Sequence, residues 1–377
     1  MQINTIYNKA LDLQPITIDE GEYLFKNAPL AELSYIANEI KNKLRPAEDR
    51  KKVGWIIDRN INLSNICSTH CKFCNFSRAS NSDEAYVTTM DEYKQKIGEL
   101  FAAGGRQVLL QGGMHKKFGL DFYCNLFSEL KRTFPGLILH ALGPAEVAYI
   151  SKVAKMSYYD VLKRLHESGL DSLPGAGAEI LVDRVRKIVS PAKCSAADWL
   201  EVMHQAHVLN LPTSATMMFG HVETIRERIE HLAALRETQS RKPDYSQGFI
   251  TFIPWPFCSD GTRLEKELGP FAPIEGDEYV RMIAISRLML NNICNIQASW
   301  LTVGKSIGQV CLHSGANDFG SIMMEEHVVS AAGANYSLDS NEMVVAIKEA
   351  GFEPCRRNSR YEWENRKKLT QNILPIQ

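Results

Sequence analysis

The sequence predicts an α/β fold, a barrel of parallel strands with a (β/α)6 core extended to (β/α)8 and a helical addition at its N-terminus. Three observations predict it. Strand-like and helix-like segments alternate over roughly 250 residues, the pattern of successive β/α units. Glycine-, proline- and polar-rich clusters fall just after the predicted strands, and the C-terminal ends of the strands are the reactive face of a β/α barrel. A chain of 377 residues with 45% hydrophobic content is long enough to enclose such a core.

Residues 1–50 read as an N-terminal helical extension, in which Leu24, Phe25, Leu30, Leu33, Ile36 and Ile40 form an apolar stripe behind a cap at Thr17 or Asp19. Residues 51–292 read as the barrel core. Its strands are expected at 53–61, 107–110, 137–142, 170–173, 213–219 and 249–253. Helical periods lie at 91–103, 120–134, 158–168, 178–189, 196–209, 224–239 and 277–290. A polar linker is expected at 238–247. Residues 293–377 complete the barrel, with a strand at 293–300, a helix and a short strand near Asn317, a helix at 344–350 and a charged tail.

Charge and composition exclude several classes. The formal net charge of −1 lacks the basic footprint of a nucleic-acid binder. No apolar run has the length of a membrane span, and the first 14 residues contain no signal-type apolar segment. Of nine cysteines, six are scattered singly, which suits reduced thiols in the cytoplasm rather than a disulfide framework.

The other three cysteines are packed into Cys67-Ser68-Thr69-His70-Cys71-Lys72-Phe73-Cys74, after the first barrel strand. Cubane iron–sulfur clusters are normally held by four thiolates. Three close cysteines without a fourth leave one iron open for a ligand, as reactive metal sites require. A zinc knuckle completed by His70 is the alternative, although zinc ligands usually come as two pairs and no second pair follows.

C-x3-C-x2-C with an aromatic residue before the third cysteine resembles the signature of the radical S-adenosylmethionine (SAM) superfamily. The resemblance implies a radical SAM TIM-type barrel, a [4Fe–4S] cluster on Cys67, Cys71 and Cys74, SAM chelating the open iron, and Phe73 near the adenine. Gln111, Gly112 and Gly113 stand where the superfamily reads Gly-Gly-Glu, with Met114 in place of the acid. Glu179 stands where the ribose hydroxyls are bound; an acid in a first helical turn is the alternative. Gly220 and Glu223 resemble the Gly-x-x-Glu element of the adenine pocket, although Glu223 also suits a capping box.

Longer stretches resemble the cyclic dehypoxanthine futalosine synthase family of the futalosine route to menaquinone. They are 56–62, 216–224, 252–257, 295–300, 315–320 and 323–326, within a similarity spanning residues 53–335. Aminofutalosine synthases and deazaflavin-cofactor synthase subunits share the scaffold. The resemblance implies radical cyclisation of dehypoxanthine futalosine, fed by a low-potential donor such as flavodoxin or ferredoxin. Trp255, Phe257 and Trp300 are candidate stacking walls, with core packing as the alternative. Arg59, Gln297, Ser299 and Asn317 are candidates for the substrate carboxylate, an internal salt bridge being the other reading of Arg59. Asp318, His221, Glu325 and Glu326 are candidates for the final proton removal, with solvated surface acids the default for the two glutamates.

Overall fold

The computed structural model describes residues 2–325 and 336–364. Its strands are β1 (Lys52–Ile56), β2 (Asp58–Asn62), β3 (Gln107–Gln111), β4 (Ile138–Ala141), β5 (Thr213–Phe219), β6 (Phe249–Pro256), β7 (Asn295–Ile296), β8 (Asp318–Ser321) and β9 (Glu353–Arg356). β2, β3 and β4 pair in parallel. His140 then bridges to Ser172 and Leu173 to Thr213, so two residues serve as the fourth stave. β5, β6 and β7 continue the wall. Gln297 bridges to Asp318, and β8 pairs with β1 to close the ring. The result is an eight-staved parallel barrel whose first stave consists of β1 and β2.

The continuous strand expected at 53–61 is therefore two strands that part at Ile57. The reason is a change of neighbour. β1 pairs with β9 from Lys52↔Glu353 to Trp55↔Arg356, whereas β2 pairs with β3 from Asp58↔Gln107 onward. A run of Val, Ile and Trp carries no mark of where its partner changes.

Other elements differ locally. A helix at Pro144–Ala154 follows Gly143 with proline at its first turn, where the missing N–H costs nothing. The helix expected from 178 starts at Asp183. Ahead of it Glu179 holds φ at +43°, outside helical geometry. β6 runs on to Pro256 and so carries Trp255 within the strand. The linker expected at 238–247 is largely absorbed. The preceding helix runs Ile225–Ser240, and the buried Gln239 ties Gln247 O and both backbone groups of Phe249. The strand expected at 293–300 shrinks to β7, followed by a helix at Trp300–Val303.

The N-terminal residues form helices at Ile3–Leu11, Ile18–Asn27 and Leu30–Lys43. Thr17 closes a capping box with Glu20, which satisfies the first-turn amides. No helix among the described residues is long and apolar enough to cross a membrane.

Candidate active site

Val108, Leu110, Leu139 and Ala141 are fully buried against the outer helices. Alternation along a strand then turns Leu109, Gln111 and His140 into the barrel lumen. On β2 the partners fix the parity. Arg59 reaches outward to Lys96 O at 3.0 Å and to Glu99 at 2.5 Å, both on the helix Met90–Ala102. Asn60 and Asn62 consequently face inward. Both are buried, and Asn60 Oδ1 and Asn62 Nδ2 have no hydrogen-bond partner among the described residues. Buried polar atoms left unpaired are costly and mark where a ligand or water is received.

The cysteine loop lies over the C-terminal ends of β2 and β3. Cys67 Sγ is 3.0 Å from Thr69 Oγ1, and Cys71 Sγ is 3.5 Å from the same hydroxyl. Met114 N–H points at Cys67 Sγ at 3.3 Å. A Cβ on Gly112 would come within 2.9 Å of Ser64 O, and one on Gly113 would collide with the Ile66 carbonyl. The glycines thus let the end of β3 lie flat against the loop that carries the thiols. Burial pushes the Cys71 thiol up, while Lys193 pulls it back towards thiolate.

Lys193 is the main residue that the sequence did not reveal. It lies in the loop after the helix Asp183–Val189, where no periodicity singles it out. Its ammonium is 2.8 Å from Glu179 Oε1 and 5.4 Å from the Phe73 ring centre. Against a desolvation that opposes it, Cys71, Glu179 and Glu146 push the Lys193 ammonium up. Glu179 is therefore held by a lysine and is not the first-turn acid of a helix. A groove of about 990 Å³ opens here, lined in part by Ser68, Thr69, Met114, Ala145, Tyr149 and Lys193.

Gly220 sits at φ +94°, and its N–H donates to Glu223 Oε1 at 2.6 Å. Glu223 also accepts from His221 N at 2.9 Å and Arg228 Nε at 2.8 Å, with its side chain fully buried. Burial would raise its carboxyl, but the His221 and Arg228 side chains and the Gly220 amide hold it at about 2. Glu223 is a brace for the turn after β5. The capping box of the next helix belongs to Thr224 and Glu227.

Several expected substrate and proton-transfer residues are engaged elsewhere. Arg59 forms the internal salt bridge, with Glu325 at 2.8 Å as well as Glu99, on the helix side of β2. Glu325 is bound by that arginine and by Lys96, so it is neither a surface acid nor a lumen base. Glu326 lies outside the described residues. His221 has both ring nitrogens occupied, Nε2 donating to Met218 O at 3.0 Å and Nδ1 lying 2.9 Å from Glu223 Oε2. Asp318 is fully buried in a two-point ion pair with Arg357 Nε and Nη2. Asn317 is consumed by Arg287 at 2.9 Å, Ile296 N at 3.0 Å and Asn295 at 2.8 Å. Trp300 is 2% exposed against Gly308, and Phe257 packs edge-on to His221 and Phe271. Both are core aromatics. Ser299 is buried, and its N–H donates to Tyr279 Oη at 2.8 Å. Trp255, level with Met218, and Gln297, pressed against Gly320, remain partly exposed.

Comparison with known proteins matches residues 61–235 to the radical SAM superfamily and residues 246–370 to the CofH/MqnC C-terminal region. A cyclic dehypoxanthine futalosine synthase of Streptomyces coelicolor is 40% identical over 362 residues, covering 93% of this chain and 88% of that one. The chain belongs to the radical SAM superfamily. A 5-amino-6-(D-ribitylamino)uracil–L-tyrosine 4-hydroxyphenyl transferase of Methanosarcina mazei is 38% identical, over 92% of this chain and 90% of that one. Among solved structures, methylornithine synthase superposes with a TM-score of 0.70 at 20% identity, over 93% of this chain and 97% of that one, a likeness of fold.

The cofactors of a radical SAM enzyme are a [4Fe–4S] cluster and SAM, and the residues present suit both. Three thiols share one loop at the barrel mouth. No three His, Cys, Asp or Glu side chains among the described residues converge on a single-ion site. A cubane needs no such convergence, because each thiolate takes its own iron. A buried ammonium beside the loop and two orphaned amide atoms below it suit an anionic, polar cofactor and substrate.

Proposed function

We propose that this radical SAM enzyme cyclises dehypoxanthine futalosine to its cyclic form on the futalosine route to menaquinone. The observation that carries the reading is the 40% identity to a cyclic dehypoxanthine futalosine synthase across nearly the full length of both chains. When bound, the cluster and SAM supply a 5′-deoxyadenosyl radical. Cys67, Cys71 and Cys74 hold the cluster, Lys193 faces the SAM carboxylate, and Phe73, Glu179, Gln111, Gly112, Gly113 and Gly220 shape the cofactor's bed, with Glu223 bracing its rim. Trp255, Gln297, Asn60 and Asn62 line the substrate's side of the lumen. A narrow barrel suits the chemistry, because a primary carbon radical attacks most C–H bonds and the protein must hold the substrate close and exclude water. Hydrogen abstraction at the ribose-derived C4′ leads to addition onto the benzoate ring. A flavodoxin- or ferredoxin-class donor supplies the electron that primes the cluster.

The test is anaerobic reconstitution with iron and sulfide, followed by incubation with SAM, reductant and dehypoxanthine futalosine and identification of products by mass. Equimolar 5′-deoxyadenosine and a product two hydrogens lighter than the substrate are expected. The 38% identity to a ribitylaminouracil–tyrosine transferase favours a second reading. Turnover only of a diaminouracil substrate with tyrosine, in a parallel incubation, would replace the first with the second.

A further inference from the structure

We propose that His140 takes the ring proton that closes the cyclisation. The inference rests on the cyclase reading and names a residue for its last step. Addition of the sugar-derived radical to the benzoate ring forms a C–C bond and leaves one ring carbon tetrahedral. To recover aromaticity, the C–H bond at that carbon must break. Its electron pair stays in the ring, one electron leaves to an iron–sulfur centre in its oxidised state, and the proton passes to a base. A ring that surrenders its electron as the proton leaves is a strong carbon acid, so a weak base in the right place suffices.

The buried acids between this wall and the base of the barrel are already spent. Asp318 is locked to Arg357. Asp58 receives Ser321 Oγ–H and, at 3.0 Å, Gln107 Nε2, and burial pushes its carboxyl up. His140 differs from both. Asn60 pairs in register with Leu109, Leu109 with His140, and His140 bridges to Ser172. These four residues are successive register neighbours on the wall, and Asn60, which leads the row, keeps its Oδ1 unpaired. Ser172 Oγ lies 2.7 Å from His140 Nδ1 and fixes the ring. Nε2 is left without a partner among the described residues, on a side chain that stays partly exposed although its strand neighbours Leu139 and Ala141 are fully buried. Burial, and Arg357 after it, push His140 down to about 4, so the imidazole is neutral at pH 7 and free to accept.

The experiment compares reconstituted wild type with His140→Gln on dehypoxanthine futalosine. Wild type should give 5′-deoxyadenosine and cyclic product in a ratio near one. In His140→Gln the product rate should fall about 10²-fold, the order contributed by a positioned base. Deoxyadenosine release should persist, and a ring-delocalised radical should accumulate in freeze-quenched electron paramagnetic resonance samples. Substrate affinity, read by equilibrium dialysis on the unreconstituted protein, should stay within about twofold, which a structural role would not leave intact. A wild-type product ratio in His140→Gln overturns the proposal, as does loss of deoxyadenosine and product together. If His140→Gln does not fold, Ser172→Ala decides: an unchanged ratio overturns the proposal, and a several-fold excess of deoxyadenosine supports it. Absence of cyclic product from wild type would sink the cyclase reading instead, so the two failures are distinct.

Discussion

The two ends of the barrel are built from similar residues and left in opposite states. At the base, β9 leads Arg357 into the lumen beside Asp318, with Tyr361 stacked 3.7 Å from the guanidinium. Gly54 has no Cβ because one would collide with Asp318 and crowd Arg357. The charges of Asp318 and Arg357 are paired there. At the mouth, two of the three thiols share one hydroxyl, Lys193 crowds two carboxylates and Cys71, and the amides of Asn60 and Asn62 each keep an unpaired atom. A closed polar network holds a fold together, whereas an open one waits for a ligand. Asp318 and Arg59 looked like chemistry in the sequence and are structure. Lys193 looked like nothing and faces the site.

The largest expected effect breaks the mouth alone. Cys71→Ala should abolish cluster binding and deoxyadenosine formation while the unfolding midpoint of the metal-free protein barely moves; iron analysis and denaturant melts check both. Arg357→Leu should do the reverse. Leaving Asp318 buried and unpaired should cost about 3–5 kcal/mol by urea titration, with part regained on adding Asp318→Asn. A fully stable Arg357→Leu would erase the contrast between the ends.

Glu223 extends the comparison to pH. Its folded carboxyl sits at about 2, below the ordinary value of 4.5, so its contribution is complete at neutral pH and is lost as pH falls from about 4.5 to 2. On that shift the contribution is roughly 3 kcal/mol, and Glu223→Gln should flatten this part of the acid-stability curve. Lys193→Met should weaken SAM binding to the reconstituted protein by about tenfold, near 1.4 kcal/mol, without displacing iron. The smallest effect is expected at Arg59, which points at the helices: Arg59→Gln should change kcat by less than about twofold. A large loss there would mean that Glu325 and Arg59 reach the chemistry after all.

The legibility of the molecule followed the range of each interaction. The cysteine loop was readable because its ligands lie within eight residues and their spacing is itself the geometry. The strand–helix alternation was readable because periodicity is local. Lys193 was not, because a loop lysine acquires meaning only when folding places it beside Glu179 and Phe73. The roles of Trp300 and Phe257 also failed to show, since an aromatic residue in a wall and one in a core are spelled alike.

The sequence by itself determined the barrel class, the three-thiol loop and the membership that both imply, since short spacings and repeating periods survive without coordinates. Tertiary structure alone decided which side chains enter the lumen. Asn60, His140 and Ser172 are aligned through two strand registers and a bridge, and Arg357 arrives from the far end of the described chain. A one-residue slip in any strand would turn its side chains outward, and register is set by contacts between segments far apart in sequence.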